Sequence, residues 1–256
     1  MRRYLHDVDF RTALISETAA FGELIRGADD TVEVPACPGW TLKQLFRHVG
    51  RGNRWCAQII AERRNERFDP RETRDGKPPE DRDGAIDWLN ASAQAIIDAV
   101  DQVGSDARVW TFLGPRPAGW WIRRRVHEQT VHRADAALAL GLPFELDAHL
   151  AADGVSETLE RATLVADRSA PPVMPGTSLH LHATDDGLGP TGEWMITNDE
   201  EGLGWSHRHS KGDVAVRGPA TGLLLATNRR QSAADAGLEL IGDSTVWQTW
   251  LDRVAF

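Results

Sequence analysis

From Gly119 to Leu140 the chain reads GWWIRRRVHEQTVHRADAALAL, rich in Ala and Arg, with no Pro or Gly inside and with Gly141 and Pro143 behind it. One long helix, stopped by the glycine, is the conformation this composition favours. At about 100° per residue, Glu128 and His132 then stand one turn apart on one face. Trp121, Arg124, Arg125, Val131, Asp135 and Leu138 fall on the same half. A carboxylate and an imidazole at i, i+4 supply half of a metal site, with a third ligand expected from another helix. The same spacing also suits a solvated pair or a pair that merely steadies the helix, so the rest of the chain has to decide.

Three more helices are expected ahead of this one. The first spans roughly His6 to Asp29, with an apolar stripe of Phe10, Leu14, Phe21, Leu24 and Ile25. Pro35 and Pro38-Gly39 then lead to a marked helix start, where Thr41 and Gln44 fit a capping box and Trp40 and Leu45 a hydrophobic staple. The second helix, Thr41 to about Arg63, carries His48 in line with Leu45, Gly52, Trp55 and Ile59, on the stripe expected to be buried. A buried imidazole needs a partner for both ring nitrogens or a metal on one of them. A bonded core histidine is the plainer account of His48 alone; the Glu128/His132 face shifts the balance towards metal. Glu62 to Gly84 is polar and rich in Pro and Gly, a long connection that permits a crossover, so that helices two and three need not be neighbours. It reads as a solvated linker or as a flap over a site. The third helix runs from about Asp83 to Val103 and ends at Gly104. Four helices of about twenty residues suggest a bundle with inward-facing ligands.

After Leu150 the texture changes. Ala151 to Ala166 still reads as helix, but Thr177 to Thr184 alternates, with Leu179 and Leu181 on one face and His180 and His182 on the other. Glu193–Ile196 and Gly204–His209 suggest a hairpin, Val214 and Val216 a further strand, Ala220–Arg230 a helix, and Leu238–Ile241 a last strand before a helix capped by Asp243 or Ser244. The fold class expected is α+β, with a helical bundle over residues 1–148 and a small mixed domain over 149–256. His180/His182 and His207/His209 read as polar positions on the sheet's wet face, with a second metal as the less economical alternative. The net charge of −9 is concentrated in this second half, and neither half is basic, which leaves no footprint for nucleic acid. No apolar run is long enough for a membrane span, and charge interrupts the N-terminus too early for a signal peptide. Two cysteines, Cys37 and Cys56, make no disulfide framework, so a reducing cytoplasm is expected. Arginine outnumbers the lysines Lys43, Lys77 and Lys211, a bias of GC-rich bacterial genomes.

Pro38-Gly39-Trp40-Thr41 with Leu45 and His48, followed by His127-Glu128, Val131-His132-Arg133 and Asp135, resembles the mycothiol-dependent maleylpyruvate isomerase family of the DinB-like superfamily. Val214–Pro219 and Leu238–Asp243 are similar to that family's sterol-carrier-like C-terminal domain. The resemblance implies an actinobacterial metalloenzyme with His48, Glu128 and His132 as ligands of a divalent metal, zinc first, and mycothiol as cofactor. Its partners would be that small-molecule thiol and a small, acidic electrophile, the reaction cis–trans isomerisation or thiol transfer, and the protein a monomer or homodimer. Arg124 and Arg125 would clamp substrate carboxylates, although an Arg124–Glu128 pair explains Arg124 equally well. Asp135 would hold a ligand histidine's second nitrogen or receive arginine contacts, unless it is simply a solvent-facing or helix-pairing acid. Trp55 and Trp121 would wall the thiol pocket, unless they are simply core, and Cys56 reads as a small buried thiol. A metal-dependent hydrolase or lyase on the same bundle, or a non-catalytic metal-stabilised binding protein, are the other expectations.

Overall fold

Helix α1 (Phe10–Ile25) begins where the Asp9 carboxylate accepts the N–H groups of Arg11 and Thr12. The computed structural model describes residues 8–167, 169–200 and 202–254, so His6 and Asp7, expected in the first helix, lie outside the described residues. These residues form two compact units, one from Asp9 to Phe144 and one holding Glu145 onward.

In the first unit α2 (Leu42–Ala61), α3 (Arg82–Val103) and α4 (Trp120–Ala139) complete a bundle. The Gln44 side chain reaches back to the Thr41 N–H at 2.6 Å, as the capping box requires. Asp81 caps α3 by accepting from Gly84 N–H at 2.7 Å. Gly104 and Gly141, at φ +90° and +64°, stop α3 and α4 in a region that costs other residues steric strain. A two-residue antiparallel pair, β1 (Arg108–Val109) and β2 (Arg116–Pro117), precedes α4.

Around the bundle, α1 packs on α3 and α4, and α2 packs on the same two helices. Helices α2 and α3 are therefore direct neighbours, and the crossover that the long connection permits is not used. Its length is spent on strapping the bundle instead. Trp55 Nε1 donates to Phe68 O at 3.1 Å, Arg51 Nε to Gly76 O at 2.9 Å and Trp88 Nε1 to Asp75 O at 2.7 Å, with a 3-10 turn at Pro70–Glu72. Gly50 lies flat against the Trp88 ring, where any side chain would collide and prise α2 from α3. Phe21, Ile25, Leu42, Leu45, Val49, Ile86 and Leu89 fill the centre.

The second unit begins with α5 (Ala148–Val165). Its mixed sheet comprises β3 (Ser178–Ala183), β4 (Glu193–Asp199), β5 (Gly202–Ser206), β6 (Val214–Gly218) and β7 (Glu239–Gly242) in the order β5-β4-β3-β6-β7. Only β3 and β6 run parallel, and α6 (Ala220–Thr227) and α7 (Ser244–Arg253) complete the unit. Leu179, Leu181, Trp194, Ile196, Val214 and Val216 all turn into one core with α5 and α6, as period-two alternation demands. The opposite face departs from the expected wet surface. Strand β5 ends at Ser206, so His207 and His209 lie beyond it, and the following segment returns so near β3 that a Cβ on Gly212 would stand 3.2 Å from His180 Cβ. His180 is consequently only 4% exposed. The class is α+β, with the helical unit first. Among the described residues no helix is long and apolar enough to cross a membrane.

Candidate metal centre

Adjacency of α2 and α4 brings His48 to the face that carries Glu128 and His132. His48 Nε2 lies 3.3 Å from Glu128 Oε1, and the His48 and His132 rings stand edge to face at 5.1 Å. One donor atom from each of the three residues lies within 4.8 Å of the others. His132 Nδ1 is held by Asp135 Oδ2 at 2.9 Å, which leaves its Nε2 for a further partner. This is the carboxylate–histidine pairing that orients a ligand imidazole. Two imidazoles and one carboxylate, with no fourth residue joining the set among the described residues, are a donor set suited to a divalent cation with an open position.

Electrostatics favour two of the three groups, Glu128 and His132, as ligands. Burial pushes the Glu128 carboxyl up, but Arg125, the hydrogen bond with His48 and Arg124 outweigh it and hold Glu128 well below the carboxylate range. Burial also lowers His132, against the pull of Asp135 and Glu128, so its neutral form is favoured. A metal needs both an ionised carboxylate and a neutral imidazole. Arg125 NH1 meets Glu128 Oε1 at 2.6 Å, its Nε reaches Asn53 Oδ1 at 2.7 Å, and its NH2 reaches Val49 O at 3.3 Å. Arg124 NH2 meets Glu128 Oε2 at 3.2 Å. Gly52 makes room for this arrangement, since a Cβ there would sit 2.9 Å from Arg125 NH2.

Residues 11–137 match the family profile described as the mycothiol maleylpyruvate isomerase N-terminal domain, and residues 149–249 match that of the MDMPI C-terminal domain. The chain belongs to the mycothiol-dependent maleylpyruvate isomerase family. A crystal structure of the mycothiol-dependent maleylpyruvate isomerase superposes with a TM-score of 0.59 at 18% identity, covering 91% of this chain and 93% of that one. A histidine-to-alanine mutant of a protein of the same description gives 0.58 at 16% identity, covering 94% and 95%. No curated protein matches the chain in sequence.

Within this family framework several side chains take places that the sequence reading did not give them. His48 was expected on a buried stripe, yet its side chain is 39% exposed. The stripe is split: Leu45 and Ile59 enter the core, whereas His48, Gly52 and Trp55 are half-buried. Arg125, expected beside Arg124 as a clamp for substrate anions, is turned inward with Nε, NH1 and NH2 all engaged. Trp121 is buried and donates to Trp110 O at 3.1 Å, in a cluster with Trp55, Trp110, Trp120 and Phe112. That is the position of a core aromatic; Trp55, half-buried, edges the same cluster. Cys56 is wholly buried, and its thiol is pushed up to about 12 by that burial.

Two residues near the centre escaped the sequence reading as parts of a site. Trp40 stacks obliquely 4.8 Å from His48, and Cys37 Sγ lies 3.6 Å from Asp135 Oδ2. Both belong to a loop cinched by Cys37 N–H to Val34 O, Trp40 N–H to Cys37 O and Val34 N–H to Trp40 O, with Gly39 at φ +79°. The available signal was the tight Pro38-Gly39 turn just ahead of the second helix, which has to fold back on that helix's first turn.

Proposed function

We propose that this protein is a mycothiol-dependent metalloenzyme whose zinc is held by His48, Glu128 and His132, and that it acts in the cytoplasm on a small acidic electrophile. The reaction class is cis–trans isomerisation or thiol transfer at an activated double bond. The observation that carries this reading is the meeting of three donors from α2 and α4 with Asp135 behind one of them. A metal with a vacant position supplies the acidity that turns a bound thiol into a thiolate near neutral pH.

The chain's own groups then divide the work. His48 and His132 each turn a ring nitrogen to the site, and Asp135 fixes which nitrogen of His132 points there. Arg125 and Asn53 hold the Glu128 carboxylate in place. Arg124, on the outer oxygen of Glu128, is the guanidinium retained as the contact for a substrate carboxylate. On α2, Arg51 follows His48 by three residues and lines a cleft of 660 Å³ with Arg67, Phe68, Asp69, Pro70 and Arg71. Burial, and then repulsion from Arg47 and Arg71, lower the Arg51 pKa, against the pull of Asp69. Trp40 excludes water from one side of His48. Trp55 edges the thiol's side of the pocket; Trp121 backs it.

Calorimetry of the zinc-loaded chain with mycothiol, followed by assay of maleylpyruvate conversion to its trans isomer, tests the proposal. Thiol binding that disappears in His48→Ala, Glu128→Ala and His132→Ala supports it. Metal content per chain unchanged from the parent in all three variants overturns the ligand assignment. Turnover that needs water but no thiol moves the chain to the hydrolases.

A further inference from the structure

The sheet unit holds a second convergence of donors, independent of the bundle. His180 and His182, two residues apart on β3, project from the same face. Glu193, at the start of β4, pairs directly with His182 across the ladder. His209 arrives from the segment beyond β5. His180 Nε2 lies 2.6 Å from Glu193 Oε2, while His182 Nδ1 and His209 Nδ1 lie 3.3 and 2.9 Å from Glu193 Oε1. The three rings stand edge to face in pairs, with centroids 5.4 to 5.9 Å apart. One donor atom from each of the four residues lies within 4.8 Å of all the others.

We infer that this cluster is a second divalent transition-metal site, closed and structural, built from His180, His182, His209 and Glu193. The chemistry of the donors points to zinc or a neighbouring first-row ion. Imidazole and carboxylate are their common ligands, whereas magnesium and calcium call for oxygen alone. The spacing agrees. Ligand atoms about 2.0–2.1 Å from a tetrahedral ion sit about 3.3 Å from one another; the three nitrogen–oxygen separations, 2.6, 2.9 and 3.3 Å, lie at or just below that value, so an ion would open the cluster slightly. A single carboxylate can accept one N–H from each of three imidazoles, but a dication suits the same convergence of three rings and one carboxylate. Each neutral ring has one N–H to give and one lone pair left over, and protonating all three would crowd like charges. A dication takes up three lone pairs and the carboxylate together.

Four protein donors complete a tetrahedron and leave no place for a substrate, which is the pattern of a structural rather than a catalytic ion. Its mechanical effect follows from the topology. The ligands come from β3, from β4 and from the segment that returns over β3 towards β6, so the ion would pin that segment to the sheet. His209, with its side chain 73% exposed, gives the ion a path in from solvent. Arg217, opposite His182 on β6, has its guanidinium 3.9 Å from Glu239 on β7.

The test uses the full chain carrying Glu128→Ala and His132→Ala, which disables both donor sets of the bundle, His48/Glu128/His132 and Cys37/His132/Asp135. Zinc titration by calorimetry is expected to show one ion bound per chain, and cobalt(II) the visible absorption of a tetrahedral site. His182→Ala and His209→Ala, added singly, should each weaken binding by at least about tenfold, with circular dichroism unchanged. Absence of zinc binding in the bundle-disabled chain, or binding indifferent to both histidine substitutions, overturns the inference. If that background fails to fold, zinc content decides in the otherwise unaltered chain. His182→Ala with His209→Ala should then carry one zinc fewer than the parent, and equal content refutes the site whatever the bundle holds.

Discussion

Helices and strands have assembled nearly the same side chains into two different kinds of cluster. In the bundle, Glu128 sits between two guanidiniums, at 2.6 and 3.2 Å, and meets two imidazoles contributed by two helices. In the sheet, Glu193 has three imidazoles around it, two of them from one strand. A helix offers neighbours only every third or fourth residue, so α4 can bring two donors to a point and needs α2 for another. A strand offers every second residue, and a hairpin adds the residue opposite, so donors accumulate quickly. The bundle's set stops at three and stays open for chemistry. The sheet's set reaches four and closes. Residue type decides that a cation can bind, and backbone period decides whether it can do anything afterwards.

The sharpest way to break this contrast is Glu128→Ala. It removes the carboxylate of the open set while leaving Glu193 untouched. Thiol-dependent turnover is expected to fall by more than about a thousandfold, roughly 4 kcal/mol of barrier, with one metal lost per chain. Activity and metal content measured on the same preparation check it. If Glu193→Gln proves equally damaging to turnover, the division into an open and a closed cluster is wrong.

Next in size is the effect of Arg125→Ala, which sharpens the comparison because Glu193 has no such buried cation against it in the contacts described. Removing one member of a buried pair strands the other, and the loss expected in a urea melt is about 3 kcal/mol. This is the low end of the usual range because the Glu128 side chain remains 21% exposed. The sign with pH follows from the depressed Glu128 carboxyl. In the metal-free protein its contribution is complete above the ordinary value of 4.5 and is lost as pH falls through the lower folded value. Arg125→Ala should therefore show a shallower acid limb than the parent between about pH 5 and about pH 3. Parallel limbs would deny Arg125 its role.

Asp135→Asn comes third. It keeps the shape but takes away the charge behind His132 Nδ1, and second-partner losses of this kind weaken metal binding by about 10–100-fold. Competition with a chromophoric chelator measures it. An unchanged affinity would leave Asp135 as a partner of Cys37 and of the loop rather than of the site.

How much of this was legible beforehand depends on the range of the interaction. Helix ends were, because Thr41, Gln44, Gly104 and Gly141 act on their own turn of backbone. Glu128 and His132 were legible as a pair because i, i+4 is local. The α2–α3 contact was not, because the residues between them are polar and say nothing of strapping; Trp55, Arg51 and Trp88 do that by donating to carbonyl groups, and every residue has one of those. Arg125 could not be told from Arg124 by sequence, since both are buried and the reach of Arg125 to α2 depends on Asn53 and Gly52 on that helix. The His180 face was read as wet because alternation reports two faces but not what later folds across one of them.

The smallest effect expected is also the most discriminating between composition and geometry. His207 and His209 are two residues apart and were a single feature in the sequence. In the structure His207 Nδ1 turns to the backbone oxygen of Glu193 at 2.9 Å, and its ring lies 5.1 Å from Trp205 and 5.9 Å from Trp194. His209 Nδ1 turns to the carboxylate of the same residue. His207→Ala should thus change stability by no more than about 0.5 kcal/mol and leave zinc binding at the sheet within about twofold, whereas His209→Ala removes a ligand. Both are measured by the same titration, in the same background, on two exposed histidines of one short segment. Equal losses from the two would mean that the segment attracts zinc through its histidine content alone, and the four-donor geometry would have no part in it.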